Sequence, residues 1–200
     1  NFLSIKNYFT KIIKLEHNNK KIYNNKNFIN LSIPHILNKE YSNLIDTLNS
    51  NWISPVGPEI QKFENKLSSY NNYGYCAAVN SGTAALHLAL IQLGIKENDY
   101  VICQSFTFVA SANPILYEKA IPVFVDSEKD SLCMDPVALE EALSYLIKKK
   151  KKPKAVILAH IYGIPGKIYK IKKICKKYKV FLIEDSAETL GSSINNKKCG

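Results

Sequence analysis

Arginine is absent from all 200 residues, so the formal charge of +10 is carried by lysine alone. Sequence-specific reading of base edges leans on bidentate arginine. Lysines interleaved with asparagine and isoleucine read as biased composition, so nucleic acid is not an expected partner. No apolar run approaches the ~20 residues that cross a bilayer. Residues 1–30 also lack an apolar segment followed by a small-residue cleavage site. Neither membrane nor export signal is expected, and the expected location is cytoplasmic. The five cysteines, Cys76, Cys103, Cys133, Cys175 and Cys199, show no CxxC or metal-ligand rhythm. They read as small buried side chains in a reducing compartment, with no metal site. No GxxxxGK(S/T) phosphate loop occurs either.

What the sequence does contain is alternation. Residues 1–30 are polar, with an Asn/Lys-rich stretch at Asn18–Asn27, and are expected to form a weakly ordered leader. From Leu37, apolar residues at three- and four-residue steps predict an amphipathic helix. A second helix follows the turn-rich Asn51–Pro58, with Pro58 in its first turn. Short apolar runs at Tyr75–Val79, Tyr100–Cys103, Pro122–Val125, Ala155–Leu158 and Val180–Ile183 predict strands. Helical patterns lie between them at Ser81–Leu93, Val109–Glu118, Pro136–Ile147 and Gly166–Tyr178, with Asp135 placed as an N-cap. The lysine run Lys148–Lys152 reads as a solvated helix end opposing the helix dipole. Strands alternating with helices predict an α/β domain with a mostly parallel sheet. Ligands of such sheets bind at the carboxyl ends of the strands.

The residues at those ends are therefore the ones to weigh. Ser81-Gly-Thr-Ala84 opens a helix with small residues, and its free backbone amides can hold a phosphate. It can equally be a plain helix cap. Phe106 and Phe108 follow the second strand, where an aromatic can cover a planar ring or simply fill the core. His160 follows the fourth strand. Asp185 ends the last strand, where a carboxylate can hold a ligand cation or cap a turn. An anion cradle, a planar aromatic and a carboxylate together match pyridoxal phosphate, which needs a phosphate site, a stacking face and a negative partner for its pyridine nitrogen.

The strings NSGTAALHLAL, QSFTFVASANPILY, IPVFVDSE, HIYGIPG and FLIEDSAETLGS, in this order, resemble the DegT/StrS family of sugar aminotransferases. The resemblance runs from about Leu31 to Gly200. SNWISPVGPEIQKFE and KKPKAVI are similar to the branch that aminates UDP-linked 4-keto-6-deoxy-N-acetylhexosamines. The resemblance implies the aspartate-aminotransferase (fold type I) architecture: three layers, a mostly parallel sheet with helices on both faces. It implies pyridoxal 5'-phosphate as cofactor, a homodimer of the full-length protein, and a nucleotide sugar and an amino-acid donor, glutamate, as substrates. The product would serve surface polysaccharide or lipopolysaccharide synthesis. By the same resemblance Ser81, Gly82, Thr83 and Ala84 lie at the cofactor phosphate and Phe108 on its ring. Asp185 lies at the ring nitrogen and Glu188 near the ring hydroxyl. Trp52, Gly57 and His160 lie toward the sugar nucleotide.

No lysine here lies in a segment matching the family's Schiff-base lysine, which the resemblance puts beyond Gly200 together with a small C-terminal domain. The expected organisation is a leader over residues 1–30 and a partial cofactor-binding domain over 31–200, inactive by itself. The alternatives are a truncated or degenerate family member, a pyridoxal-phosphate-dependent sugar dehydratase, and a non-catalytic ligand-binding α/β domain.

Overall fold

The computed structural model describes residues 34–72 and 74–200. The expected leader lies outside the described residues. Two compact units divide the chain at Ser54. Within the first, helix α1 (Asn38–Ser50) opens with the Leu37 amide donating to Glu40 at 2.7 Å, the acidic half of a capping box without its side-chain cap. Asn51 ends it with φ 61°, the left-handed geometry that asparagine tolerates well.

The second unit holds the sheet. Its elements are α2 (Pro58–Asn71), α3 (Gly82–Gln92), β1 (Tyr100–Gln104), a 3₁₀ turn (Val109–Ser111), α4 (Asn113–Tyr117), β2 (Ile121–Val125), α5 (Pro136–Lys148), β3 (Ala155–Ala159), α6 (Ile168–Tyr178), β4 (Phe181–Asp185), and the two short strands β5 (Ser193–Ile194) and β6 (Lys197–Lys198). The main sheet runs β2-β1-β3-β4 with every pair parallel. β5 and β6 make a separate antiparallel hairpin.

Alternate residues of β1 and β3 enter two different cores. Val101, Cys103, Ala155 and Ile157 pack with Leu86 and Leu90 of α3 and Ile115 of α4. Ile102, Val156 and Leu158 pack with Leu139 and Leu143 of α5 and Ile171 and Cys175 of α6. Two cores on two faces make the three-layer α/β architecture. Each fully buried leucine contributes about 2 kcal/mol of apolar transfer. Asp135 caps α5 by accepting from the Val137 amide at 2.9 Å. The cysteines are all free, four of them buried and Cys76 half-buried. Burial pushes the Cys103 thiol up to about 12.

Two expectations are corrected. Residues 75–79 run without a strand partner among the described residues, and the Ala78 amide donates instead to Glu64 Oε1 at 2.8 Å. A strand exists only through its ladder, and this apolar run has none here. The helix expected over Val109–Glu118 is a 3₁₀ turn followed by the five-residue α4, with Pro114 in the first turn of the latter. Proline lacks an amide and restricts the residue before it, so the two turns cannot merge into one helix. Among the described residues no helix is long and apolar enough to cross a membrane.

Candidate cofactor site

Chain order and sheet order differ at one place. From β1 the chain steps outward to β2, then returns past β1 to β3 and on to β4. Loops leaving β1 and β3 therefore diverge, and a crevice opens at their carboxyl ends. A cleft of about 210 Å³ lies there. Gly82, Thr83 and Leu86 of α3 form one wall, and Thr107, Phe108 and Ala110 after β1 another. Ala159, His160 and Ile161 form its floor with Asp185, Ala187 and Glu188.

Each wall offers one kind of chemistry. Ser81 caps α3, its Oγ accepting from the Ala84 amide at 3.2 Å. The Ala85 amide donates to the Ser81 carbonyl at 3.1 Å. That leaves the Gly82 and Thr83 amides, which the helix cannot satisfy itself, facing the cleft at the positive end of the dipole. A Cβ built on Gly82 meets nothing within 4 Å, so the approach to these amides is open. The Phe108 ring beside them is 72% exposed, a large apolar face left uncovered. Across the cleft, Asp185 ends β4. The Ser111 hydroxyl donates to its Oδ2 at 2.7 Å, and the Ala187 amide to its Oδ1 at 3.3 Å. Thr107 Oγ1 lies 2.9 Å from Ser111 Oγ, so a chain of hydroxyls links the loop after β1 to this carboxylate.

His160 is buried, and its Nδ1 accepts the Gly166 amide at 3.0 Å. Its Nε2 faces Glu184 Oε2 at 3.2 Å. His160 thus braces the floor from below. Glu188 lines the cleft, but one of its carboxylate oxygens accepts the Tyr162 amide.

Of the residues singled out in the sequence, Gly82, Thr83, Phe108, His160, Asp185 and Glu188 meet in this cleft. Ser81 and Ala84 stand behind it as acceptor and donor of the helix cap. Gly57 precedes α2 and does not line the cleft, and Trp52 is an exposed residue of the first unit. Sequence reasoning missed Gln104 and Ser111. Gln104 is fully buried at the end of β1 and ties three backbone segments together. A larger cleft of about 500 Å³, between Tyr70, Tyr169 and Lys198, contains neither the helix amides nor the Phe108–Asp185 pair.

The residues present fit pyridoxal phosphate: paired free amides for a phosphate, an uncovered ring for a ring, and a held carboxylate for a ring cation. Comparison with known proteins agrees. The profile of the DegT/DnrJ/EryC1/StrS aminotransferase family matches residues 34–200. The putative pyridoxal phosphate-dependent aminotransferase EpsN of Bacillus subtilis (strain 168) is 49% identical over 181 residues, covering 90% of this chain and 45% of that protein. GDP-perosamine synthase of Escherichia coli O157:H7 is 40% identical over 167 residues, covering 84% of this chain and 44% of that protein. The putative sugar aminotransferase Spr1654 from Streptococcus pneumoniae, in its PMP form, superposes with a TM-score of 0.77 at 30% identity, over 85% of this chain and 45% of that one. The chain spans under half the length of these relatives.

Proposed function

Because the chain belongs to the DegT/DnrJ/EryC1/StrS aminotransferase family, whose cofactor is pyridoxal 5'-phosphate, we propose that the protein it forms moves an amino group from an amino acid, glutamate in the simplest case, to a nucleotide-linked 4-keto-6-deoxy sugar. The observation that carries this reading is the meeting of the α3 amides, the uncovered Phe108 ring and the Ser111-held Asp185 carboxylate in one cleft. When bound, the cofactor supplies the electron sink through which an amino group can be exchanged with a ketone.

The chain's own residues then have separate tasks. The Gly82 and Thr83 amides would hold the phosphate at the helix N-terminus. Phe108 would cover one ring face and keep water from it. Asp185 would hold a proton on the ring nitrogen, with Ser111 fixing the carboxylate's orientation. Exposed Leu88 and Ile91 on α3 and Leu116 and Tyr117 on α4 support a homodimer, in which a second copy would cover them. The family's Schiff-base lysine is assigned to sequence following the part described. Likeness to the spore coat polysaccharide biosynthesis protein SpsC of Bacillus subtilis (strain 168) supports a role in polysaccharide synthesis. A UDP-linked N-acetylhexosamine derivative is the first substrate to test. Likeness to GDP-perosamine synthase gives a GDP-linked sugar equal standing.

Full-length protein mixed with pyridoxal phosphate should show a visible cofactor band that glutamate bleaches and that a UDP- or GDP-linked 4-keto-6-deoxy sugar restores. Asp185→Asn should weaken cofactor binding by about 10- to 100-fold, the loss of one charge-assisted contact. A band that no amino acid bleaches, or an Asp185→Asn variant that binds and turns over like wild type, refutes the assignment.

A further inference from the structure

The loop leaving β3 turns tightly at residues 161–164. Tyr162 has φ 53° and Gly163 φ 78°, and the Ile164 amide donates to the Ile161 carbonyl at 2.9 Å. Two consecutive left-handed residues make a type I′ turn, whose first central position favours asparagine and whose second favours glycine. Gly163 suits its place. Tyr162 does not, because a Cβ in the left-handed region crowds the backbone.

The strained turn is held from several sides. Glu188, a residue of the cleft, accepts the Tyr162 amide, and the Ser192 hydroxyl donates to the Gly163 carbonyl at 2.8 Å. Yet the side chain these tethers present is not packed. Tyr162 is 65% exposed, and among the described residues its ring meets edge-on only that of Phe106, at 6.3 Å and 63°. Phe106 is itself 45% exposed. Neither core packing nor backbone geometry accounts for tyrosine here. A bulky residue over-tethered in a disfavoured conformation is the pattern of ligand clamps. Both aromatics adjoin the cofactor cleft in sequence: Phe106 precedes Thr107 and Phe108, and Tyr162 follows His160 and Ile161.

We propose that Tyr162 and Phe106 form an aromatic lip at the rim of this cleft, gripping the apolar ring face of the incoming nucleotide sugar, whether pyranose or base. The inference rests on the nucleotide-sugar reading above. Aromatic side chains recognise both ring faces by stacking.

The test is calorimetric binding to full-length protein of UDP-N-acetylglucosamine, GDP-mannose, free UDP, free GDP and free N-acetylglucosamine. Tyr162→Asn, the residue this turn prefers, should weaken at least one nucleotide sugar by about tenfold while its melting temperature does not fall. Tyr162→Phe, which keeps the ring, should bind within about twofold of wild type, and Phe106→Ala should weaken the same ligand. A matching loss for the free nucleotide marks the base as the gripped face, and a loss confined to the sugar-bearing ligand marks the pyranose. Wild-type affinity in Tyr162→Asn, equal losses in Tyr162→Asn and Tyr162→Phe, or no binding of any probe to wild type overturns the lip. The glutamate-bleached cofactor band, recorded in parallel, decides the aminotransferase reading independently.

Discussion

Replacing Gln104 by leucine tests how the cleft is held open. The side chain is 0% exposed at the carboxyl end of β1. Its Nε2 donates to the Phe106 carbonyl at 2.9 Å, and its Oε1 accepts the Met134 and Ala159 amides, each at 3.2 Å. Leucine has similar bulk and none of this capacity. Gln104→Leu strands two amides and one carbonyl, each worth about 1 kcal/mol as a net neutral bond and up to about 3 kcal/mol if left dry. Apolar burial of leucine offsets about 1–2 kcal/mol. The balance is a loss of about 3 kcal/mol, or roughly 10 °C in melting temperature for a protein of this size. Urea unfolding and calorimetry measure both. The loop that begins at Phe106 and the end of β3 both wall the cofactor cleft, so cofactor affinity should fall together with stability. A loss under about 1 kcal/mol with unchanged cofactor affinity would sink the idea that Gln104 ties these walls together.

Two further perturbations probe the scaffold. Burial raises the Glu128 carboxyl, but hydrogen bonds from Lys167, Ser131 and the amides of Asp130 and Ser131 outweigh it and hold the group at about 2, against an ordinary 4.5. A depressed carboxyl stabilises the fold above its unfolded value and loses that contribution as pH falls from about 4.5 toward 2. Glu128→Gln should therefore flatten the acid limb of a melting-temperature profile, and parallel limbs would contradict this. At Gly166, an added Cβ would stand 2.8 Å from Cys133 Cβ and 3.4 Å from Leu158 Cδ1. Gly166→Ala should cost about 2 kcal/mol by overpacking, read by urea unfolding, and a neutral result would show that this corner has slack.

The strands around the crevice were legible because β-rich apolar runs such as Ala155–Leu158 have few other ways to be buried, and Asp135 caps α5 as its position suggests. Gln104 was not legible, since its partners Met134 and Ala159 lie 30 and 55 residues away and a glutamine at a strand end carries no sign of them. Ser111 is hidden for the same reason, 74 residues from the carboxylate it serves. Residues 75–79 misled in the opposite direction. Their composition favours a strand, but pairing is a property of the neighbour, and propensity alone cannot supply one. Asn195 and Asn196, at φ 51° and 61°, turn the β5–β6 hairpin. There the asparagine pair was a readable signal of a tight turn that the apolar-run criterion passed over.

The site itself follows from one displacement in strand order. Phe108 leaves β1 and Asp185 ends β4, and only β3 lies between those strands. Two strand spacings put the ends of β1 and β4 roughly 10 Å apart, near enough for Ser111, in the turn after β1, to donate to Asp185. Had the strands stacked in chain order, β2 and β3 would both intervene and the separation of the strand ends would be roughly 14 Å, a longer gap for the same loop to cross. Sending β2 to the outer edge therefore does more than pair a strand. It opens the crevice at the reversal and narrows the gap between a residue type that can cover a ring and one that can neutralise it. This is why three features that are ordinary singly become a candidate cofactor site once the sheet order is known.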